Sequence, residues 1–225
     1  MLSYSSLTNS GKVTLPSVDS WGTNMNIIRD PSKSKYKIKN KNLTISVILI
    51  KIEKNISYII KNYDTMNIFF LHLDPETCAK MHVDKHVVKM ILESVQLLCS
   101  VHHMTGSEYA PPYKLSHKNH PCSIWARESI PNYVWLIRLT EELCKEYTYR
   151  YGKVHKSEQY LEGLLKNLPP IQDIGFTEPR KAMPDYCKEK DPIWSYRNYY
   201  YYEKKRMHSW KKRDIPDWID DYLDL

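Results

Sequence analysis

The sequence predicts a mostly α-helical protein: a single compact helical domain over residues 66–225, preceded by a flexible extension over residues 1–65. Apolar residues recur with a helical period through residues 80–101, and two Asp-Pro pairs have the form of helix starts. Glycine accounts for only 6 of the 225 residues, which disfavours a turn-rich β fold. With 42% apolar residues, a chain of this length can form one hydrophobic core plus an appendage.

The extension has two parts with different composition. Residues 1–43 are rich in Ser, Thr, Asn and Lys without helical periodicity, which predicts poor order. Leu43–Ile60 is rich in Ile and alternates, a pattern that fits either one strand or a short helix. The segment Leu7–Ser34 resembles the openings of proteins encoded by large DNA viruses, and this implies an appendage acquired separately. Met66 follows a polar break at Lys61–Thr65 and is a candidate functional start of the domain.

The domain is predicted to open with an apolar run and one long helix. Asn67–Leu73 is expected to form a strand-like lead-in. Asp74 followed by Pro75 is typical of an N-cap and first helical position, and the helical period then continues to about His103. A loop with three prolines and one glycine is predicted over Thr105–Pro121.

Three more helices are predicted in the second half of the domain. Residues 122–151 are helical in pattern, with a break before Pro131 and a stop at Gly152. A shorter helix covers about 155–167, and a proline-punctuated loop covers 168–190. Asp191 and Pro192 repeat the helix-start signal and open a last helix to about Trp210.

Composition also indicates the cellular compartment in which the protein folds. No apolar run reaches 18 residues, so no membrane span is predicted, and the chain start lacks the layout of a secretory signal. Five cysteines, odd in number and widely spread, favour an intracellular, reducing compartment; for a viral protein this is the host cell or the virion. They are Cys78, Cys99, Cys122, Cys144 and Cys187.

The net charge of +7 is unevenly distributed. Residues 1–65 carry 10 Lys and Arg against 4 Asp and Glu, whereas residues 66–225 carry 23 against 22. Overall charge is therefore weak support for a nucleic-acid partner, although the domain has one dense basic cluster. Its members are Lys204, Lys205, Arg206, Lys211, Lys212 and Arg213. No cofactor motif and no obligate protein partner are evident.

The most informative helix carries a narrow polar stripe on an otherwise apolar surface. A stripe of this kind faces water, polar groups of a partner helix, or a ligand cleft, because burying it unpaired is costly. One interpretation is a solvated face with a Lys89–Glu93 pair. The other is a site wall with Glu93 as reactive carboxylate and His86 and Lys89 beside it as catalytic candidates, each able to shift another's pKa. The stripe consists of His82, His86, Lys89, Glu93 and Gln96, at spacings of 4, 3, 4 and 3.

A histidine-rich loop precedes the next helix. Such a loop at a helix start can hold a phosphate or position a base, so His120 and Arg127 are candidate DNA-binding residues. Solvated histidines in an ordinary turn are the alternative. A metal site is a further alternative, but no standard zinc spacing is present and none is predicted. Its donors would be His102, His103, His117, His120 and Cys122.

Tyrosines are mixed with basic residues in Glu146–Lys153, and the tyrosine-rich segment Trp194–Tyr202 precedes the basic cluster. This pattern suits stacking on bases while cations hold phosphates; the alternative is tyrosine packed in a helical core. The candidate DNA-binding residues from these segments and the basic cluster are Arg150, Lys153, Tyr199, Lys204, Lys205 and Arg206.

The order of several motifs resembles a known family. Asp84-Lys85-His86-Val87, followed by Glu93, resembles an Asp-x-His-aliphatic stretch with a catalytic Glu at the same spacing. Asn119-His120-Pro121, the long helix Tyr133–Gly152 and the aromatic segment Trp194–Tyr200 follow in the same order. Residues 66 to about 213 thus resemble the pyrimidine-dimer DNA glycosylases, the family of phage endonuclease V.

This resemblance implies base excision from DNA. An amine attacks the deoxyribose C1′, the damaged base leaves, and a Schiff base permits strand cleavage, with Glu93 as the supporting carboxylate. His86, Lys89 and Arg127 would hold phosphates or tune that carboxylate. The family uses the α-amine of a small residue at the chain start, whereas 65 residues precede Met66 here. Translation from Met66, processing, replacement of the amine by Lys89 or Lys118, or lost or altered chemistry all remain open.

The leading prediction is a DNA glycosylase, with AP-lyase activity as its second step, acting on damaged or modified pyrimidines. The first rival is a non-catalytic nucleic-acid-binding module that uses the tyrosine-rich helix and residues 204–213. A metal-dependent hydrolase built on His102, His117 and His120 is the second. A structural virion component, which rests on the N-terminal segment alone, is the third.

Overall fold

A computed structural model describes residues 27–29, 36–38 and 66–222. The chain divides into two compact units, residues 1–59 and 60–225. In the first unit, strands β1 (Ile27–Arg29) and β2 (Tyr36–Ile38) pair antiparallel, with Ile27 opposite Ile38. The predicted strand or helix at Leu43–Ile60 lies outside the described residues.

The prediction of a mostly helical domain is confirmed over residues 66–222. The α-helices are α1 (Pro75–Met81), α2 (Asp84–Thr105), α3 (Pro121–Ala126), α4 (Ile130–Tyr151), α5 (Leu161–Lys166) and α6 (Pro192–Lys204). Short 3-10 helices cover Lys156–Tyr160, Asp185–Cys187, Lys205–Met207 and Asp217–Tyr222.

The predicted helix starts at Asp74 and Asp191 and the predicted helix end at Gly152 are present. The Asp74 carboxylate accepts a hydrogen bond from the Thr77 N–H over 2.8 Å, and Asp191 caps α6 in the same way. Each therefore satisfies a donor that the first helical turn leaves unpaired. Gly152 ends α4 with a φ of 67°, in the left-handed region that favours glycine.

The first long helix, expected to run unbroken to about His103, is in fact two helices separated at His82 and Val83. Trp210 Nε1 donates to the Met81 carbonyl over 2.9 Å, and Arg150 donates to the carbonyls of Lys80 and His82. Carbonyls near the end of α1 are thus satisfied by residues distant in sequence, and the chain turns before α2 begins.

Two other boundaries also differ from the prediction. The lead-in Asn67–Leu73 is not a strand; it runs through the core as irregular chain, with Ile68, Phe70 and Leu71 buried. The last α-helix stops at Lys204 rather than near Trp210, and a 3-10 turn follows it. Both segments border the cleft described below.

The core forms where α2 and α1 pack against α4. Phe70 stacks on Trp135, with ring centres 4.5 Å apart, and meets Trp125 edge-on at 4.8 Å. Aromatic pairs in these geometries add to the free energy gained from burial. The lead-in is thus anchored against α3 and α4, which places its first residues beside α2.

All five cysteines are buried and unpaired. Among the described residues, no helix combines the length and the apolar character needed to cross a bilayer.

Candidate functional site

A cleft of about 240 Å³ lies between the start of the lead-in, the first turns of α2 and the end of α6. It contains all three predicted catalytic residues, Glu93, His86 and Lys89. Two of the predicted DNA-binding residues, Lys204 and Arg206, form its opposite wall. The remaining lining residues are Asn67, Phe69, Lys85, Met90 and Met207. A larger, more open hollow at residues 154–159 contains none of the predicted site residues.

Glu93 is a buried carboxylate, only 8% exposed. Burial raises its pKa, while Lys89, whose Nζ lies 3.1 Å from Oε1, and the main-chain N–H of Asn67 act in the opposite direction. Its other oxygen, Oε2, is buried and meets no hydrogen-bond partner of standard geometry within the described part of the chain. A carboxylate that keeps one oxygen unsatisfied in a cleft is suited to contact a ligand.

Asn67 is fixed in place by both ends of its side chain. Its Nδ2 donates to the Ala182 carbonyl over 2.8 Å, and its Oδ1 accepts from the Cys122 thiol over 3.3 Å. The main-chain nitrogen of Asn67 is thereby held toward the Glu93 carboxylate. Met66, just before it, has a φ of 62°, which costs a residue other than glycine about 1–2 kcal/mol.

His86 is buried in the wall of the cleft, at 5% exposure. Its ring stacks on Phe69, with centres 4.3 Å apart and planes 12° apart, and its Nδ1 lies 2.6 Å from the Tyr200 hydroxyl. Burial holds the pKa of His86 well below its ordinary value, and the nearby His82, Lys204 and Lys89 reinforce the effect. His86 is therefore neutral at pH 7.

Four cations surround the one carboxylate in the cleft. Lys85, Lys89 and Arg206 are exposed at its rim. Lys204 is buried, with its Nζ 4.6 Å from the centre of the Tyr199 ring. Cations concentrated around a concave, partly desolvated surface create a positive potential that attracts anions such as phosphates.

The wall that carries Lys204 and Arg206 is held at its far end by Asp84. Ser209 Oγ donates to Oδ2 of Asp84 over 2.6 Å, and the main-chain N–H of Lys211 donates to Oδ1 over 2.9 Å. The Asp84 N–H in turn donates to the Ser209 carbonyl over 2.8 Å. The Lys211 N–H also reaches Oδ2 of Asp84 at 3.1 Å, so four hydrogen bonds join the start of α2 to the segment after α6.

Two of the predicted DNA-binding residues that do not line the cleft are internal. The Arg150 side chain has no exposed surface and forms ion pairs with Asp84 at 3.1 Å and Glu146 at 3.0 Å. Tyr199 is 2% exposed and packs beneath Lys204, so its ring faces are covered by protein. Arg150 thus supports the fold instead of holding a phosphate, and Tyr199 forms part of the core rather than a base-stacking surface.

The other predicted DNA contacts lie outside the cleft lining. His120 caps α3, its Nδ1 accepting from the Cys122 N–H over 3.2 Å, and burial lowers its pKa to about 4. Arg127 donates to the Lys118 carbonyl over 2.8 Å. Lys153 and Lys205 are exposed. The cleft therefore brings together five of the eleven predicted site residues.

The histidines considered for a metal site do not converge. His102 is held between the Ser107 and Tyr133 hydroxyls, each 2.8 Å away, and His103 Nε2 contacts the Tyr113 carbonyl. Over residues 66–222, no three His, Cys, Asp or Glu side chains are arranged to share a metal ion.

Sequence reasoning missed five lining residues: Asn67, Phe69, Lys85, Met90 and Met207. Lys85 could have been found, because Lys85, Lys89 and Glu93 follow one another at intervals of four on α2. Asn67 and Met207 carry no comparable signal, since each reaches the cleft only through the packing of distant segments.

No family model, curated protein or solved structure matches this chain. The likeness to pyrimidine-dimer DNA glycosylases therefore rests on the order of the motifs in the sequence.

Proposed function

We propose that this protein is a DNA glycosylase, with an AP-lyase second step, that removes damaged or modified pyrimidines. One observation carries the proposal: a buried carboxylate, Glu93, faces the main-chain nitrogen of Asn67 inside a cleft lined by four cations. A carboxylate beside a potential amine supports nucleophilic attack on a sugar carbon. Cations around both are suited to hold the phosphates on either side of that sugar.

The chemistry needs a neutral amine next to Glu93. The amine forms a bond to C1′ of deoxyribose, and the C1′–N bond to the base breaks, with the electron pair leaving on the base. Opening of the sugar ring then gives a protonated Schiff base. Loss of a proton from C2′ expels the 3′ phosphate. In this proposal Glu93 stabilises positive charge at C1′ and accepts the proton.

Two amines compete for the role of nucleophile. The Lys89 ammonium is already engaged with Glu93 at 3.1 Å. The nitrogen of Asn67 becomes an amine only when the preceding residues are removed, and an α-amine has a pKa of about 8, lower than that of a lysine. We favour Asn67. Removing residues 1–66 also removes the unfavourable backbone conformation at Met66.

The test compares the full chain with forms that begin at Met66 and at Asn67. Each is incubated with UV-irradiated, undamaged and abasic duplex DNA and treated with borohydride, which reduces a Schiff base to a stable adduct. We expect damage-dependent nicking and an adduct with the Asn67 form, lost in Glu93→Gln and kept in the exposed control Glu76→Gln. Mass spectrometry of the adduct identifies the nitrogen. An adduct on Lys89 would overturn the assignment to Asn67, and no adduct on any form would overturn the glycosylase.

The cation cluster also favours a second candidate, a nucleic-acid-binding module without catalysis. Such a protein would bind DNA in all three forms without nicking it. Glu93→Gln would then keep or raise the affinity, because a negative charge is removed from a cationic surface.

A further inference from the structure

The His86 imidazole is fixed more tightly than phosphate binding requires. Its Nδ1 lies 2.6 Å from the Tyr200 oxygen, while one face is covered by Phe69 at 4.3 Å. Tyr200 itself is fully buried in α6. A side chain held by a stacked ring and a short hydrogen bond has one orientation, which is the requirement for directed contact with a substrate.

The direction of the His86–Tyr200 hydrogen bond follows from the surroundings of the Tyr200 hydroxyl. Among the described residues, Nδ1 of His86 is the hydrogen-bond acceptor that this buried hydroxyl meets. The hydroxyl proton is then directed to Nδ1 of His86. The reverse arrangement would leave the buried hydroxyl proton in need of another acceptor, which is costly.

A neutral imidazole carries one N–H, so acceptance at Nδ1 places that hydrogen on Nε2. His86 lines the cleft and Nδ1 is engaged by Tyr200, so Nε2 is the ring nitrogen available to a ligand. The charged groups that face the ring are Lys89 on the same helix and Lys204 on α6, and His82 also lies near; all three oppose protonation of His86. The cleft therefore contains a neutral, oriented N–H donor among the cations.

We infer that His86 donates this Nε2–H to a carbonyl oxygen of the departing pyrimidine, and that Tyr200 is a positioning residue that fixes the required tautomer. The inference rests on the proposed function. Negative charge develops on the oxygens of the base as the C1′–N bond breaks, and a pre-oriented donor stabilises it. A neutral imidazole does this without competing with Lys85 and Arg206 for the phosphates.

The tautomer is tested first, in the full chain without DNA. Nitrogen NMR of the histidine rings is expected to show His86 with hydrogen on Nε2 and none on Nδ1 at pH 7 to 8. Tyr200→Phe should abolish this preference, whereas the exposed control Tyr202→Phe should not. An Nδ1–H tautomer, or a charged His86 ring at pH 7, would overturn the inference.

The contact with the base is tested with two substrates and the form of the protein that is active in trapping. On DNA that carries the damaged base, we expect Tyr200→Phe and His86→Leu to slow excision on the order of 10²-fold. On abasic DNA, where the base has already gone, borohydride trapping should be nearly unchanged. His86→Gln, which keeps an N–H donor, should excise faster than His86→Leu.

Equal loss on both substrates would show a merely structural role and overturn the base contact. No excision by the wild-type protein would overturn the proposed function and the base contact together. The NMR result stands apart from both, because it decides the tautomer without any substrate.

Discussion

Arg150 Nη1 donates to the main-chain oxygen of His82 over 2.8 Å, across 68 residues of sequence. The same guanidinium reaches the Lys80 carbonyl and the carboxylates of Asp84 and Glu146. The end of α4 is thereby joined to the turn between α1 and α2, immediately before the residues that form the cleft. The position of α2 depends on this buried cation.

Replacing Arg150 should destabilise the domain strongly. We expect Arg150→Met, which roughly conserves volume, to lower the free energy of unfolding by about 3–5 kcal/mol, because Asp84 and Glu146 lose a buried partner. The exposed control Lys153→Ala should stay within about 0.5 kcal/mol of the wild type. Urea unfolding measures both, and equal stability of the two variants would contradict a structural role for Arg150.

Glu93 should limit stability at neutral pH. Burial raises the pKa of Glu93 in the folded state above its value in the unfolded state. The favourable contribution of Glu93 to the free energy of unfolding is therefore present below the unfolded-state pKa. It is lost as pH rises through the folded-state pKa. In urea unfolding, Glu93→Gln is expected to have a free energy of unfolding up to about 1 kcal/mol higher than the wild type at pH 7 and equal to it at pH 4. Glu76→Gln, at an exposed ion pair, should show no such gain. A less stable Glu93→Gln at pH 7 would argue against the burial effect.

The cations of the cleft should set the salt dependence of DNA binding. Lys85→Ala and Arg206→Ala are each expected to reduce the slope of log affinity against log salt by about 0.9, because one phosphate contact is lost. Lys166→Ala, on the surface of α5 beside Glu162, is the matched control and should leave the slope unchanged. The slope is measured by fluorescence anisotropy over a salt series. Identical slopes for all three variants would remove the cleft as the DNA-binding surface.

Acid should unfold the domain through its buried histidines. Burial lowers the pKa of His82 to about 4 in the folded state. The neutral side chain therefore makes its full contribution to the free energy of unfolding above the unfolded-state pKa of about 6.5, and this contribution decreases as pH falls toward 4. In His82→Asn, the free energy of unfolding should fall less steeply as pH decreases toward 4, by about 1.4 kcal/mol per pH unit. The readout is urea unfolding from pH 7 to 4; an unaltered slope would mean that another group governs the acid response.

The sequence predicted the helical content and three of the side chains of α2 that line the cleft, because both depend on local periodicity. Glu93, His86 and Lys89 share a stripe whatever the rest of the chain does. The break at His82 was not predictable in this way, since the hydrogen bonds that stabilise it come from Arg150 and Trp210, which are distant in sequence. The burial of Arg150 and Tyr199 was missed for the same reason: a basic or aromatic residue in a helix has no local signal that separates internal pairing from contact with DNA.

The hydrogen bonds that Asp84 makes to Ser209 and Lys211 have a mechanical consequence. The stretch from Lys204 to His208 is fastened at both ends, to α6 on one side and to the start of α2 on the other. It therefore behaves as a bridge of fixed span, and the distance between the two walls of the cleft is set before any ligand arrives. A ligand of matching width therefore binds without the entropic cost of ordering this segment. A single cut in the backbone between Lys204 and His208 would release one wall of the cleft and leave the helical core intact.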